Sequence, residues 1–415
     1  MRILFLSNFY PPARPGGYTQ WCYEVAQGLE DRGHTIGVLT SRHEREKITA
    51  DEPHIYRLLH LEGDLNYYQP LQFFLTWQKH HRANLMLTRQ VVEAFSPDIV
   101  FIWGMWSLSQ AVPVLLEKLL PERVVYFLSD YWPSAPNMHI AYWQEPTRRR
   151  VMRLPKRLGA AIARSMLKRA GTTTLAFKNA ICVSAAVRDI LIAHGVPLHQ
   201  ARVIHGGTDT SRFVNATKRE GITERLRLLY AGQFAWHKGV HTALAAMNRL
   251  VNEWGNHRVH LTLVGTGHPS YEAYLRRQVE AQDLQSAVSF CPPVTREQMP
   301  DVLQQFDVLL FPSIYEEPLA RMTQEAMAAG LVVIGTTTGG TKEILINGEN
   351  GLTFVAEDDC ALAKQIACLA KDSALFQQLS HAGRQTVFNY FNLDRMVKEI
   401  EQFLQEVWHL PQQCD

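Results

Sequence analysis

The chain lacks several features that would have settled its class at once. Its 415 residues hold six cysteines, Cys22, Cys182, Cys291, Cys360, Cys368 and Cys414, and none forms a Cys-x-x-Cys pair. No Cys/His cluster has metal-ligand spacing, which excludes a zinc ribbon or disulfide scaffold and favours a reducing compartment. No apolar run approaches the ~20 residues that cross a bilayer, and the opening Met-Arg-Ile-Leu-Phe-Leu-Ser-Asn reads as a strand rather than a signal peptide. A cytoplasmic protein is expected. There is no fixed-period repeat, no low-complexity tract, no Gly-x-Gly-x-x-Gly and no Asp-x-Asp. A dinucleotide oxidoreductase is therefore disfavoured. Net charge is nearly absent too, at +2. Its distribution is uneven, because residues 1–213 carry 25 Lys+Arg against 17 Asp+Glu and the remainder 17 against 23. The two halves have fields of opposite sign.

What is present is alternation. Ile3–Ser7, a loop with Gly16-Gly17, a helix from Tyr18 to Asp31 and a strand Ile36–Thr40 make a βαβ unit. Further short apolar strands are expected at Ile99–Trp103, Val124–Leu128, Ala180–Val183 and Arg202–Ile204. The second half repeats the style with strands at Arg227–Ala231, His260–Val264, Val288–Phe290, Val308–Phe311 and Val332–Ile334, alternating with helices at 239–254, 270–282, 298–305 and 319–329. This pattern predicts an α/β chain of two doubly wound, Rossmann-like parallel-sheet domains facing across a cleft. The expected divisions are an N-terminal domain 1–212, a polar linker 213–226, a C-terminal domain 227–392, and a final amphipathic helix and tail 393–415 returning to the first domain.

The most informative stretch is Pro312 to Gly330. A strand ends, two acids follow in a short loop, and a helix-forming run begins. Pro318 suits a first helical turn, which leaves Glu317 at the helix mouth and Glu325 about two turns in. Backbone amides at roughly Leu319–Met322 would then point outward and attract phosphate. Carboxylates on both sides of an anion site suit hexose, diphosphate and ribose in a row. Acids at a helix start also simply offset its dipole, so the neighbours decide. Gly16-Gly17 allows close approach to a phosphate. Ala231-Gly-Gln-Phe-Ala-Trp-His-Lys-Gly239 offers an amide and Lys238, while Val264-Gly-Thr-Gly267 and Thr338-Gly-Gly-Thr-Lys-Glu343 are further glycine loops after apolar strands.

In that order these pieces resemble the retaining glycosyltransferases of family 4, the glycosyl transferases group 1, with the GT-B architecture. Pro11–Gly17, Gly33-His34, Val183-Ser184, Gly207-Thr-Asp209 with Phe213, Gly232–Gly239, Gly265-x-Gly267, Pro312-Ser313, Glu317-x7-Glu325 and Gly339-Gly340 with Glu343 all match, so the likeness spans nearly the whole chain. The resemblance implies transfer of a hexose-type sugar from a nucleoside diphosphate sugar, with retention and without a metal or other cofactor. The acceptor would be a glycan, a lipid-linked or a small molecule. Glu325 would take the ribose diol, Glu317 the donor sugar, and Lys238 the diphosphate, aided by the backbone at Gly16 and Gly17 and around Leu319, Ala320 and Arg321. Gln233, Gly265 and Val294 would complete the donor side, with Val294 near the base. On the acceptor side stand Trp103, Ser129, Asp130, Tyr131 and Trp132.

Departures from the family pattern are informative. Gln233 stands where Arg is frequent, Ala320 where Gly is usual, and Ser129 and Trp103 where histidines are common. Asp130 becomes the candidate catalytic helper beside Glu317 and Lys238, or else an acid that caps a turn. An epimerase on the same fold, or a degenerate sugar-nucleotide-binding protein, stays open at this point.

From Pro146 to Arg188 there are 11 Lys+Arg and no acid, interleaved with Leu154, Leu158, Ile162, Met166 and Leu167 and preceded by Tyr142 and Trp143. A basic amphipathic helix beside aromatics suits an anionic membrane surface or a phosphorylated acceptor; a solvated helix packed by its apolar side is the plainer reading. No nucleic-acid motif accompanies the charge.

Overall fold

The computed structural model describes residues 1–13, 16–48, 52–63, 70–135, 138–146, 153–169, 174–214 and 225–410. The polar stretch 217–224 and Arg148–Arg150 lie outside these described residues. The chain divides into two compact units, Met1–Ile204 with Val397–Asp415, and His205–Met396.

The first unit holds seven strands: β1 (Arg2–Ser7), β2 (Thr35–Ser41), β3 (Ile55–Leu59), β4 (Ile99–Ile102), β5 (Val124–Leu128), β6 (Asn179–Cys182) and β7 (Arg202–Val203). Their order is β3-β2-β1-β4-β5-β6-β7 and every pairing is parallel. Continuous apolar strands such as β1, β4 and β5 suit a sheet covered on both faces. Helix Gly17–Asp31 buries Trp21, Cys22, Val25, Ala26 and Leu29 at helical spacing. It ends at Gly33, whose left-handed φ of 86° few other residues adopt cheaply.

β3 is absent from the sequence reading because Arg57 interrupts its apolar run. The guanidinium is buried and satisfied, donating to Tyr10 O at 2.9 Å and Pro11 O at 2.6 Å while pairing with Glu52 at 2.7 Å. The long helix Pro70–Phe95 follows, and buried Asn84 exchanges two hydrogen bonds of 2.8 Å with the backbone of His60, just past β3. The last helix, Leu393–Trp408, lays residues from Val397 onward in this first unit. Glu401 accepts from Arg32 and His34, and Arg202 pairs with Glu406.

The second unit carries β8 (Leu226–Ala231), β9 (Val259–Val264), β10 (Val288–Cys291), β11 (Val308–Phe311), β12 (Val332–Gly335) and the two-residue β13 (Leu352–Thr353), too short to register as an apolar run. The order β10-β9-β8-β11-β12-β13 is again all parallel. Strand order reverses between β1 and β4 in one sheet and between β8 and β11 in the other. Such reversals leave a crevice at the carboxyl ends of the strands, where ligands of open α/β sheets bind.

At the β8 end two loops press backbone against backbone. A Cβ on Gly265 would lie 1.9 Å from Gly232 O, and one on Gly267 1.8 Å from Phe234 O. Phe234 N donates to Thr266 O at 2.9 Å, which fixes the spacing. Only glycine fits there. A Cβ on Gly17 meets nothing within 4 Å. Gly267→Ala is therefore expected to destabilise the chain by about 3 kcal/mol or more, whereas Gly17→Ala, on a helix, is neutral or stabilising by up to ~1 kcal/mol. Thermal or urea denaturation of both variants measures the contrast, and equal midpoints would contradict it.

Candidate active site

The second unit gathers its loops around the β8/β11 reversal. After β8 the chain passes Gly232 and Gln233 and makes a short turn, Trp236–Lys238, closed by Gly239 at φ 68°. A side chain on Gly239 would sit 1.9 Å from Pro312 O, so this glycine lets the turn touch the loop after β11. The contact is reinforced by Ile314 N and Tyr315 N, which donate to His237 O at 2.9 and 3.1 Å.

These constraints bring Lys238 to Glu317. Their Nζ–Oε1 distance is 2.6 Å, and Ser313 Oγ donates to the same carboxylate oxygen at 2.6 Å. Glu317 is buried and Lys238 a quarter exposed, so each charge relies on the other. From the far side Gly340 N donates to Glu317 O at 2.6 Å and Gly339 N to Glu316 Oε2 at 2.5 Å. Gly339 has a φ of 56°, and a Cβ there would overlap the Glu317 backbone at 2.3 Å. Thr336 Oγ1 donates to Ser313 O at 2.6 Å. Glu317 is thus held by three separate loops.

The following helix spans Arg321–Ala328, with Ala320 in extended backbone before it. It begins two residues later than the sequence pattern predicts. Pro318, Leu319 and Ala320 belong to the loop, because the hydrogen bond from Gly340 to Glu317 O holds this stretch out of the helix. The amides of Met322 and Thr323 open the helix, whose ladder starts with Gln324 N donating to Ala320 O at 3.4 Å. One turn in, Glu325 accepts from Arg321 Nε at 3.1 Å, and both side chains are largely buried. Each acid of the pair therefore carries its own cation.

Beside them lies an open groove of about 480 Å³, lined by Gly232, Gln233, Gly265, Val294, Met299 and Met322 among others. It unites three of the sequence-derived donor residues, Gln233, Gly265 and Val294, with the first turn of the Glu325 helix. Met299 carries no signal in the sequence, where an isolated methionine has no pattern, and Met322 figures there only as the end of the Leu319–Met322 amide run. In the sequence Ser313 belongs to the Pro312-Ser313 pair, and its spacing of four residues before Glu317 is the signal available for it.

Family models account for the chain in two blocks. The model of Glycosyltransferase Family 4 matches residues 15–212, and that of Glycosyl transferases group 1 matches 215–386. This chain is a family 4 glycosyltransferase. Glycogen synthase of Mycobacterium tuberculosis is 24% identical over 406 residues, covering 94% of this chain and 91% of that protein. Among solved structures, Anabaena HepE in complex with UDP-glucose superposes with a TM-score of 0.65 at 19% identity, covering 98% of this chain and 100% of that one. Sucrose-phosphate synthase from Thermosynechococcus elongatus gives a TM-score of 0.71 at 20% identity, covering 99% and 100%. The fold of this glycosyltransferase is GT-B, two Rossmann-like parallel-sheet domains.

In its first unit, Gly16 precedes the helix Gly17–Asp31, with Thr19 Oγ1 donating to Gly16 O at 2.9 Å. Trp103 has no exposed surface; it stacks on Phe127 with centroids 4.2 Å apart and packs against Phe5 and Phe101. Its indole serves the core at the end of β4. Ser129 and Trp132 are buried, and Trp132 packs on Tyr126 and Phe177. Asp130 Oδ1 accepts from Trp132 N at 2.8 Å, so this acid caps the turn through Tyr131. Burial pushes its carboxyl up to about 6, opposed by hydrogen bonds from the Trp132 amide and the Trp106 side chain.

A carboxyl raised in the folded state binds its proton more tightly there than in the unfolded chain. Its contribution to stability is greatest below the unfolded value and declines as pH rises through the window from about 4 to 6. Asp130→Asn keeps the acceptor for Trp132 N and removes the titration. The variant is expected to gain on the parent chain by up to ~2–3 kcal/mol between pH 4 and pH 7. Urea denaturation of both at the two pH values measures this, and a constant difference would refute the assignment.

Proposed function

We propose that the chain is a retaining glycosyltransferase that moves a hexose-type sugar from a nucleoside diphosphate sugar to a glycan, lipid-linked or small-molecule acceptor. The observation that carries this is the pair of buried acids after β11, Glu317 held by Lys238 and Ser313, and Glu325 held by Arg321, beside an open groove at the β8/β11 reversal. The groove's apolar and backbone lining suits a base near Val294 and Gly265. Glu325 then accepts from the ribose diol. The diphosphate lies against the amides that open the helix and against Lys238. Glu317 takes hydroxyls of the sugar. HepE of Anabaena, which shares the fold, has been solved with UDP and with UDP-glucose, and this supports a nucleotide-sugar donor.

In this reading the bond from the anomeric carbon to the phosphate oxygen breaks while the bond to the acceptor oxygen forms on the same face. The acceptor's proton passes to the departing phosphate. Negative charge grows on that phosphate, where Lys238, Arg321 and the helix amides are already in place, so little reorganisation is needed at the moment of reaction. These groups let the reading proceed without a divalent metal. Gln233 gives the diphosphate an amide rather than a cation, which leaves Lys238 and Arg321 a larger share. Gly16 and Gly17 offer further amides to the donor. Asp130 is the proposed helper on the acceptor side, with Ser129, Tyr131 and Trp132 around it and Trp103 supporting the strand end. The proposed setting is cytoplasmic, where nucleotide sugars are made.

Melting the chain with UDP, GDP, ADP, dTDP and their sugars tests the donor site. A matching nucleotide at ~100-fold its Kd is expected to stabilise by about 2.7 kcal/mol. Glu325→Ala and Lys238→Ala should each shrink that shift. Glu317→Ala is expected to lower turnover by ~10²-fold or more while part of the nucleotide shift remains. No shift with any nucleotide would sink the proposal. Binding without sugar transfer to any acceptor would reassign the chain as a binding protein, and sugar nucleotide converted without an acceptor would make it an epimerase.

A further inference from the structure

The helix Arg153–Arg169 is seated by one face only. Ala160 and Ala163 are buried, and Ala163 packs with Phe73 and Trp77, with Trp143, Met166 and Leu167 partly buried around them. Gly159 lies so close to the Trp143 indole that a Cβ would meet it at 2.7 Å. At ~100° per residue the opposite face carries Leu154, Leu158 and Ile162, four residues apart. They are 68%, 60% and 55% exposed, an aliphatic stripe that joins no buried cluster among the described residues.

Arg153, Arg157 and Arg164 run along one flank of this stripe. The helix contains six Lys or Arg and no acid. An open groove of about 500 Å³ follows the arginine flank; Arg153, Lys156, Arg157 and Arg164 line it, Trp143 forms a wall, and Glu145 is the one acid in its lining among the described residues. Lys156 Nζ is 4.5 Å from the centre of the Tyr142 ring.

We propose that this helix seats the protein on an anionic lipid bilayer. Leu154, Leu158 and Ile162 enter the boundary between headgroups and acyl chains. The groove beside them takes headgroup phosphates on Arg153, Lys156, Arg157 and Arg164. Both halves of the surface are needed: aliphatic side chains without charge would find little grip, and arginines alone would bind any polyanion. Charge argues against a second copy of the same face, because the cations Arg153, Lys156, Arg157 and Arg164 would meet their own kind. The exposed residues stand outside the buried clusters of the unit, so the surface can be altered with little effect on the core.

Flotation of the full chain with phosphatidylcholine vesicles, with and without phosphatidylglycerol, tests this. Binding is expected only to vesicles containing phosphatidylglycerol, and is lost at high salt. Leu158→Glu with Ile162→Glu, and separately Arg153→Gln with Arg157→Gln, should each weaken it by about tenfold or more. Circular dichroism and melting temperature should stay at parental values; if a Glu pair disturbs them, Leu154→Ser with Leu158→Ser replaces it. Absence of flotation, equal binding to neutral vesicles, or parental affinity in both folded variants overturns the proposal. So does a concentration-dependent dimer, abolished by the leucine changes, in a chain that does not float.

Discussion

One ion pair organises the loop cluster of the second unit. Lys238 reaches Glu317 at 2.6 Å, and neither charge is well solvated. A buried carboxylate left without its cation is costly, on the order of 3–5 kcal/mol when a partner is removed. The backbone therefore brings the two together from opposite strands: Gly239 touches Pro312 O from the β8 side, and Gly339 and Gly340 approach the Glu317 backbone from the β12 side. No side chain larger than hydrogen fits at the two tightest of these approaches, Gly239 and Gly339. The glycines and the ion pair are one device, since the first fixes the distance over which the second acts.

Much of this was legible in the sequence. Continuous apolar strands separated by amphipathic helices give parallel sheets with both faces covered, and the glycine loops at strand ends mark where backbones meet. Glu317 and Glu325 were legible through spacing, Lys238 through its place after a strand and a glycine turn. What escaped depends on partners distant in the chain. β3 contains a buried Arg57 whose hydrogen-bond acceptors lie 46 and 47 residues away, at Pro11 and Tyr10, so local hydropathy misjudged it. The helix before Glu325 starts late because an amide from Gly340 holds Glu317 back, again a tertiary override of a favourable N-terminal proline. Met299 and Met322 line the groove only because three loops converge.

Charge is arranged differently in the two units. In the second, cations and acids around the site are paired: Lys238 from the loop after β8 with Glu317 from the loop after β11, Arg321 with Glu325 one helical turn apart, and Arg227 on β8 with Asp307 just before β11. In the first, the helix Arg153–Arg169 concentrates positive charge with no acid of its own. Matched pairs position groups and are little affected by salt when buried, whereas an unmatched stripe acts at a distance and is screened within a Debye length. The six cations of that helix contribute much of the basic surplus of the N-terminal half.

The path of the chain has a consequence for synthesis. His205–Met396 is, in topological terms, an insertion within the first unit, whose last piece is Val397–Trp408. That piece holds Met396's neighbour Val397 against Gly28 and supplies Glu401 to Arg32 and His34. A ribosome delivers it only after the entire second unit has emerged. Domains that fold in order of synthesis would here finish in reverse: the unit begun first closes last. Loss of the final turns, by a premature stop or a protease, therefore strips Arg32, His34, Arg123 and Arg202 of partners in the first unit, while the contacts that hold Glu317 all lie within the second.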